Sequence, residues 1–95
     1  MFLVALAWQR PAYAFVRHTL DDQELADAKK EQPAAADAYV KAEALLRTAD
    51  LVGAEKQLAR ACELRPLSPL FARRHCQVLT ELGKRDEAIK ACTTA

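Results

Sequence analysis

Residues 82–89 read Leu-Gly-Lys-Arg-Asp-Glu-Ala-Ile, and they join the end of one predicted helix to the beginning of the next. Gly83 stands where a helix commonly ends, because glycine adopts the left-handed conformation of a helix C-terminus without steric cost. A new helix is predicted to begin at Arg85 or Asp86 and to continue to the end of the chain. The stretch therefore predicts a helical hairpin with a tight turn.

The sequence that leads into and out of this turn repeats weakly, with a period of about 34 residues. From residue 34 onward, the identical pairs at this offset are Ala38 and Ala72, Leu45 and Leu79, Ala54 and Ala88, Lys56 and Lys90, and Ala61 and Ala95. Small residues also coincide where paired helices would touch, as at Ala42 with Cys76 and at Ala49 with Gly83. A period in this range indicates stacked helical hairpins, which generally bind other molecules and carry out no chemistry.

Four helices are predicted after Pro33, over about residues 34–48, 51–64 and 69–82, and from Arg85 or Asp86 onward. The third beginning has the clearest signals, because the Ser68 side chain can accept from a free amide and Pro69 suits the first helical position. Arg65 is predicted to end the second helix, since a residue before proline avoids the helical region. The chain is 52% hydrophobic but only 6% aromatic, which favours packed helices over sheet.

This pattern resembles the tetratricopeptide repeat, a helix-turn-helix unit of about 34 residues. The positions that match the small and apolar residues of the family are Ala42, Leu45, Ala54, Leu58, Ala61 and Pro66, then Cys76, Leu79, Gly83, Ala88, Cys92 and Ala95. The family's large residues near the start of the unit are replaced here by Ala38 and Ala72. The resemblance implies an all-α protein with antiparallel hairpins stacked as a short α-solenoid. Its repeat domain covers residues 33–95, with units at about 35–68 and 69–95.

The resemblance also implies an inner face, lined by the first helix of each hairpin, that binds a peptide or a helix of a partner protein. The partner-binding residues carried over from the family are Tyr39, Val40, Glu43, Leu46, Arg47, Leu70, Arg73, Arg74 and Gln77. Arginine side chains pair well with carboxylates, so the partner is expected to be an acidic segment or a peptide C-terminus. The alternative is that the arginines form a solvated face and the chain is a structural helical spacer.

The repeat pattern stops within the second unit, where a helical array normally has a capping helix. An apolar edge of the last helix is therefore expected to be uncovered. Self-association through this uncapped C-terminal helix is one expected consequence, and a longer parent chain or an unseen neighbour is another.

Residues 1–32 have no counterpart at the repeat offset and are predicted to be an N-terminal helical or targeting segment. Residues 2–8 form an apolar run that is followed by a polar break and the triplet 12–14, which is the order found in a bacterial-type signal peptide. The alternatives are a membrane anchor remnant and a packing helix that begins at Pro11. Residues 21–32 are predicted to be a solvated helix or linker. A cytoplasmic location is favoured unless residues 1–14 are a signal or an anchor.

The remaining composition argues against several function classes. The net charge of +1 gives no field that attracts nucleic acid. The three cysteines lack the spacing of a zinc site, so Cys62, Cys76 and Cys92 are predicted to be buried free thiols, with a Cys76–Cys92 bridge expected if the protein is exported. No nucleophile, phosphate-binding or metalloprotease motif occurs. We therefore expect no enzyme activity, no catalytic residue, no metal, no cofactor and no small-molecule substrate.

Overall fold

A computed structural model of the chain describes residues 19–94. They form five α-helices, which in chain order are α1 (Thr19–Glu31), α2 (Pro33–Arg47), α3 (Leu51–Leu64), α4 (Pro69–Glu81) and α5 (Arg85–Thr94). Residues 19–94 contain no β-strand, so the prediction of an all-α protein is confirmed. None of these helices is long and apolar enough to cross a membrane. The signal, anchor and packing-helix alternatives for the beginning of the chain lie outside the described residues.

The helix boundaries after Pro33 agree with the prediction to within one residue. Local capping explains this agreement. The Ser68 hydroxyl accepts a hydrogen bond from the backbone N–H of Phe71 at 3.2 Å, and Pro69 begins α4. A second cap was not predicted: the Asp50 carboxylate accepts from the backbone N–H of Gly53 at 2.9 Å at the start of α3. Each side chain satisfies an amide that would otherwise lack a helical partner.

The two hairpin turns have the same backbone hydrogen bonds. After α2, the Asp50 N–H bonds the Leu45 carbonyl at 2.9 Å, and the Ala49 N–H bonds the Leu46 carbonyl. After α4, the amides at the repeat offset make the equivalent bonds, as in Lys84 N–H to the Leu79 carbonyl at 3.0 Å. Both turns pass through a left-handed residue, Ala49 at φ 62° and Gly83 at φ 76°. This is the Schellman pattern of a helix C-terminus, built twice at the repeat offset.

Helices that follow each other in the chain pack against each other: α2 against α3, α3 against α4, and α4 against α5. The alanines predicted to let paired helices approach closely are buried, namely Ala42, Ala54, Ala61 and Ala88. Cys76 is half-buried, and Ala95 lies outside the described residues. Leu64, the last residue of α3, is exposed.

One apolar cluster joins the first four helices. At its centre the rings of Tyr39 in α2 and Phe71 in α4 stack with their centroids 4.9 Å apart, and both residues are fully buried. The same cluster contains Leu25 and Ala28 of α1. The prediction of a solvated segment at residues 21–32 is therefore wrong for one face of that segment, because those two apolar residues lie on the side of α1 that meets the core.

A disulfide joins the last described helix to α4. Cys76 of α4 and Cys92 of α5 are bonded, with their Cα atoms 5.0 Å apart. Ala88 is the one buried residue among the described side chains of α5, whereas Ile89 is 59% exposed. The prediction of three free thiols is thus wrong for this pair. Cys62 in α3 is free and half-buried, and burial raises the pKa of its thiol to about 11.

Candidate partner-binding surface

The inner face predicted from the sequence is largely covered in the structure. Of its nine residues, four are buried: Tyr39, Leu46, Leu70 and Arg74. Two are half-buried, Glu43 and Arg73, and three are exposed, Val40, Arg47 and Gln77. The helix α1 packs against α2 and also contacts α4, and its Asp21 contacts Arg73 and Arg74 of this set. The predicted face is therefore only partly open to solvent.

Two predicted arginines hold a carboxylate of α1. Asp21, in the first turn of α1, accepts a hydrogen bond from Arg73 and lies 3.5 Å from a terminal nitrogen of Arg74. Arg74 also donates to the side-chain oxygen of Gln77 at 3.2 Å. The Asp21 side chain is only 8% exposed. A carboxylate is buried at acceptable cost only when it is paired and hydrogen-bonded, so this pairing is what allows Asp21 to lie against the inner face.

Arg65 binds α1 further along its length. Its guanidinium forms two hydrogen bonds with the Glu24 carboxylate, from Nε at 2.9 Å and from the terminal NH2 nitrogen at 3.0 Å. The other terminal nitrogen donates to Glu31 at 2.7 Å and also contacts the side-chain oxygen of Gln32. One arginine at the α3–α4 turn thus binds two carboxylates of α1 and the side chain that follows this helix. This residue is not on the predicted inner face.

The hydrogen bonds between Arg65 and the carboxylates of α1 favour the charged forms of Arg65 and Glu24. Hydrogen bonding from Arg65 lowers the pKa of Glu24, although burial opposes the shift, and Ser68 contributes a further hydrogen bond in the same direction. The hydrogen bonds that Arg65 donates to Glu24 and Glu31 raise the pKa of Arg65 above its ordinary value. Both groups are therefore ionised at neutral pH, and the contact is a charge-assisted, bidentate pair of the stronger kind.

Another charged contact joins α3, α4 and the turn after α4. His75 Nε2 lies 3.0 Å from Glu55, and the Lys84 ammonium lies 3.5 Å from the other oxygen of the same carboxylate. Burial raises the pKa of Glu55, but the His75 hydrogen bond and the Lys84 charge outweigh it, so the pKa is lowered overall. Cys76 forms a disulfide with Cys92, and His75 contacts Glu55, so both side chains are engaged with other groups of the protein. Residues 19–94 contain no cluster of three or more His, Cys, Asp or Glu side chains that could hold a metal ion.

Sequence reasoning missed Asp21, Glu24 and Arg65 because it judged residues 21–32 by their overall polarity. A helical-periodicity signal was present. Residues 21, 24, 28 and 31 are spaced by three or four and, together with Leu25, lie on one face of α1. That face combines carboxylates with Leu25 and Ala28, so the segment is amphipathic in a way that average composition hides.

The surface thus has the guanidinium groups of Arg65, Arg73 and Arg74, which contact carboxylates of α1, and an apolar cluster that Leu25 and Ala28 of α1 enter. Such an arrangement can neutralise carboxylates and cover apolar side chains of a helix, which are properties of a recognition surface. Comparisons with protein families, with curated proteins and with solved structures find no match to this chain.

Proposed function

We propose that the chain is a protein-interaction module formed by two tetratricopeptide-like hairpins, α2–α3 and α4–α5. Its inner face, together with Arg65, binds an acidic amphipathic helix of a partner protein. The observation that carries the proposal is the burial of Asp21 between Arg73 and Arg74. A surface that accepts a carboxylate of its own chain in this way has the charge and the shape to accept one from another protein.

The repeat geometry supports the proposed scaffold. The two turns have the same hydrogen bonds at equivalent repeat positions, and buried alanines line the α2–α3 and α4–α5 contacts. In helical repeats of this type the first helices of successive units together line one surface, and here α2 and α4 share the Tyr39–Phe71 stack. This is the surface that α1 contacts.

The proposal is tested with a peptide that has the sequence of residues 19–32 and a full-length chain whose own α1 is weakened. The variant Asp21→Asn with Glu24→Gln removes two carboxylates of α1 but keeps the arginines. A labelled peptide is expected to bind this variant saturably, with a dissociation constant of roughly tens of micromolar. Adding Arg73→Ala is expected to weaken binding about tenfold, since a hydrogen bond to a charged group is lost.

The matched control is Glu63→Gln with Glu81→Gln, which changes the net charge equally at exposed positions of α3 and α4. Circular dichroism verifies that each variant is folded. If the folded Asp21→Asn/Glu24→Gln variant binds the peptide no better than it binds a scrambled peptide of the same composition, the interaction function is refuted. A structural role for the occupied inner face is then the better explanation.

Self-association is a second candidate, supported by a separate groove of about 570 Å³ between α4 and α5. Ala88 and Ile89 line this groove. The equivalent residues of the first hairpin are Ala54 and Glu55. Glu55 contacts His75 of α4, so in the first hairpin this position packs against the next helix. A helix of a second copy is the proposed occupant. Light scattering over a concentration series is expected to show a dimer that Ile89→Asp abolishes, and a monomer at all concentrations refutes it.

A further inference from the structure

We infer that α1 is an internal ligand of the inner face, and that a partner helix with the same pattern of side chains binds by displacing it. This inference rests on the proposed function and adds two things to it. It specifies the side-chain pattern that the partner needs, and it makes access to the site depend on whether α1 occupies it.

The contacts of α1 define the partner's pattern. Carboxylates at Asp21, Glu24 and Glu31 bind arginines, while Leu25 and Ala28 enter the apolar cluster. Relative to the first carboxylate, the acids stand at i, i+3 and i+10 and the apolar residues at i+4 and i+7. With about 3.6 residues per turn, all five positions fall within one face of a helix. A partner helix that displaces α1 has to present this combination.

The apolar attachment of α1 is small. Among its described residues only Leu25 and Ala28 are buried apolar residues, whereas α2 buries six residues. Its attachment also includes ion pairs with Arg65, Arg73 and Arg74. The pairs of Glu31 with Arg65 and of Asp21 with Arg73 are partly open to solvent and therefore weakened by salt, whereas the pair of Asp21 with Arg74 is buried. Removing α1 leaves the contacts of α2 with α3 and of α4 with α5 in place. Displacement of this helix thus requires less than unfolding of the hairpins.

The connection between α1 and α2 allows α1 to move as a unit. Gln32 is the single residue between the two helices, and its backbone lies outside the helical region at φ −136° and ψ 77°. Pro33 has no N–H and disfavours a helical conformation at the residue before it, so α1 and α2 do not merge into one helix. Rotation at Gln32 can carry α1 away from the surface without changing α2, as in other hinges.

The test compares binding of the peptide of residues 19–32 to the wild-type full chain and to Asp21→Asn/Glu24→Gln. Competition by α1 lowers the apparent affinity of the peptide. The apparent affinity is the intrinsic affinity multiplied by the fraction of molecules in which the site is open. We expect the variant to bind at least about tenfold more tightly than the wild type. The Glu63→Gln/Glu81→Gln control is expected to bind like the wild type.

The peptide itself tests the pattern. Asp21→Asn in the peptide is expected to weaken binding strongly, because Asp21 contacts Arg73 and Arg74, whereas Asp27→Asn removes the same charge without removing an arginine contact and is expected to retain binding. Equal loss with both peptides would mean that net charge alone is recognised, which overturns the pattern. Equal affinity of the wild-type and variant chains would overturn displacement and leave the proposed function standing.

Hydrogen exchange on the wild-type chain provides a readout that does not depend on the folding of a variant. Adding the peptide, or raising the salt to about 1 M, is expected to increase exchange of the α1 amides while those of α3 stay protected. Unchanged protection of α1 at saturating peptide would overturn the inference. A dimer that the peptide dissociates would identify α1 of a second copy as the displacing helix and overturn a separate partner protein.

Discussion

Single residues determine the two hairpin turns, and one of them carries strain. Ala49 and Gly83 occupy equivalent positions and both have positive φ. Glycine adopts this conformation freely, but an alanine there brings its Cβ close to a carbonyl oxygen at a cost of about 1–2 kcal/mol. The first turn is therefore formed by a residue that is less suited to it than the one in the second turn.

We expect Ala49→Gly to raise the free energy of unfolding by about 0.5–1 kcal/mol, because the strain removed exceeds the entropy that glycine adds to the unfolded chain. The reciprocal change, Gly83→Ala, is expected to lower it by about 1 kcal/mol. Beyond the adjoining residues, no atom lies within 4 Å of the Cβ it would add, so this loss reflects backbone conformation alone. Urea denaturation measures both, and a destabilising Ala49→Gly would contradict the argument.

At the scale of the element, the docking of α1 depends on pH through Glu24. Its pKa is lower in the folded chain than the ordinary value of 4.5. A carboxyl with a lowered folded-state pKa stabilises the contact above the unfolded value and loses that contribution as pH falls through the folded value. The Arg65–Glu24 contact is thus complete at neutral pH and weakens in acid.

Hydrogen exchange of the α1 amides, corrected for the intrinsic pH dependence, is expected to show loss of protection below about pH 4.5 before the amides of α3 lose theirs. In Glu24→Gln the protection of α1 is expected to be lower at neutral pH and to change less on acidification. Parallel loss in α1 and α3 at every pH would show that α1 does not separate from the hairpins.

The helix α5 differs from α1 in that a covalent bond attaches it to its neighbour α4. The Cys76–Cys92 disulfide closes a loop with a sequence separation of 16. Cross-links over loops of this length stabilise a domain by roughly 3 kcal/mol. Ala88 is the one buried residue among the described side chains of α5, so the disulfide adds to a contact with a single buried apolar residue on the α5 side.

Reduction of the wild-type chain by a dithiol is expected to lower the free energy of unfolding by roughly 3 kcal/mol, and Cys92→Ser is expected to lower it by a similar amount without reductant. The reductant should then have no further effect on Cys92→Ser. Thermal denaturation with and without the dithiol measures this. A wild-type transition that is insensitive to reductant would contradict the stabilising role.

For the whole molecule, the core is small and depends on the Tyr39–Phe71 pair. Phe71→Ala is expected to cost about 3–5 kcal/mol, because it removes a fully buried ring between α2 and α4. Val40→Ala, at a residue that is 42% exposed, serves as the control and is expected to cost less than about 1 kcal/mol. Equal losses in urea denaturation would mean that the stacked pair does not hold the helices together.

The sequence was sufficient for the helices but not for their arrangement. Ser68, Pro69 and Gly83 act on backbone atoms within a few residues of themselves, so their effects could be read locally. The contact of Asp21 with Arg73 joins residues 52 positions apart, and no local signal links them. Arg73 and Arg74 of the predicted inner face contact an acidic helix of the chain, whereas Arg47 is exposed. The repeat pattern does not extend to residues 21–32 and could not identify that helix.

Arg65 concentrates the retention of α1 in one side chain. Its planar guanidinium reaches Glu24, Glu31 and Gln32 from three nitrogens at once. A lysine would keep the positive charge but offers a single ammonium without that fork. The exchange of arginine for lysine, commonly regarded as conservative, would at this position loosen α1.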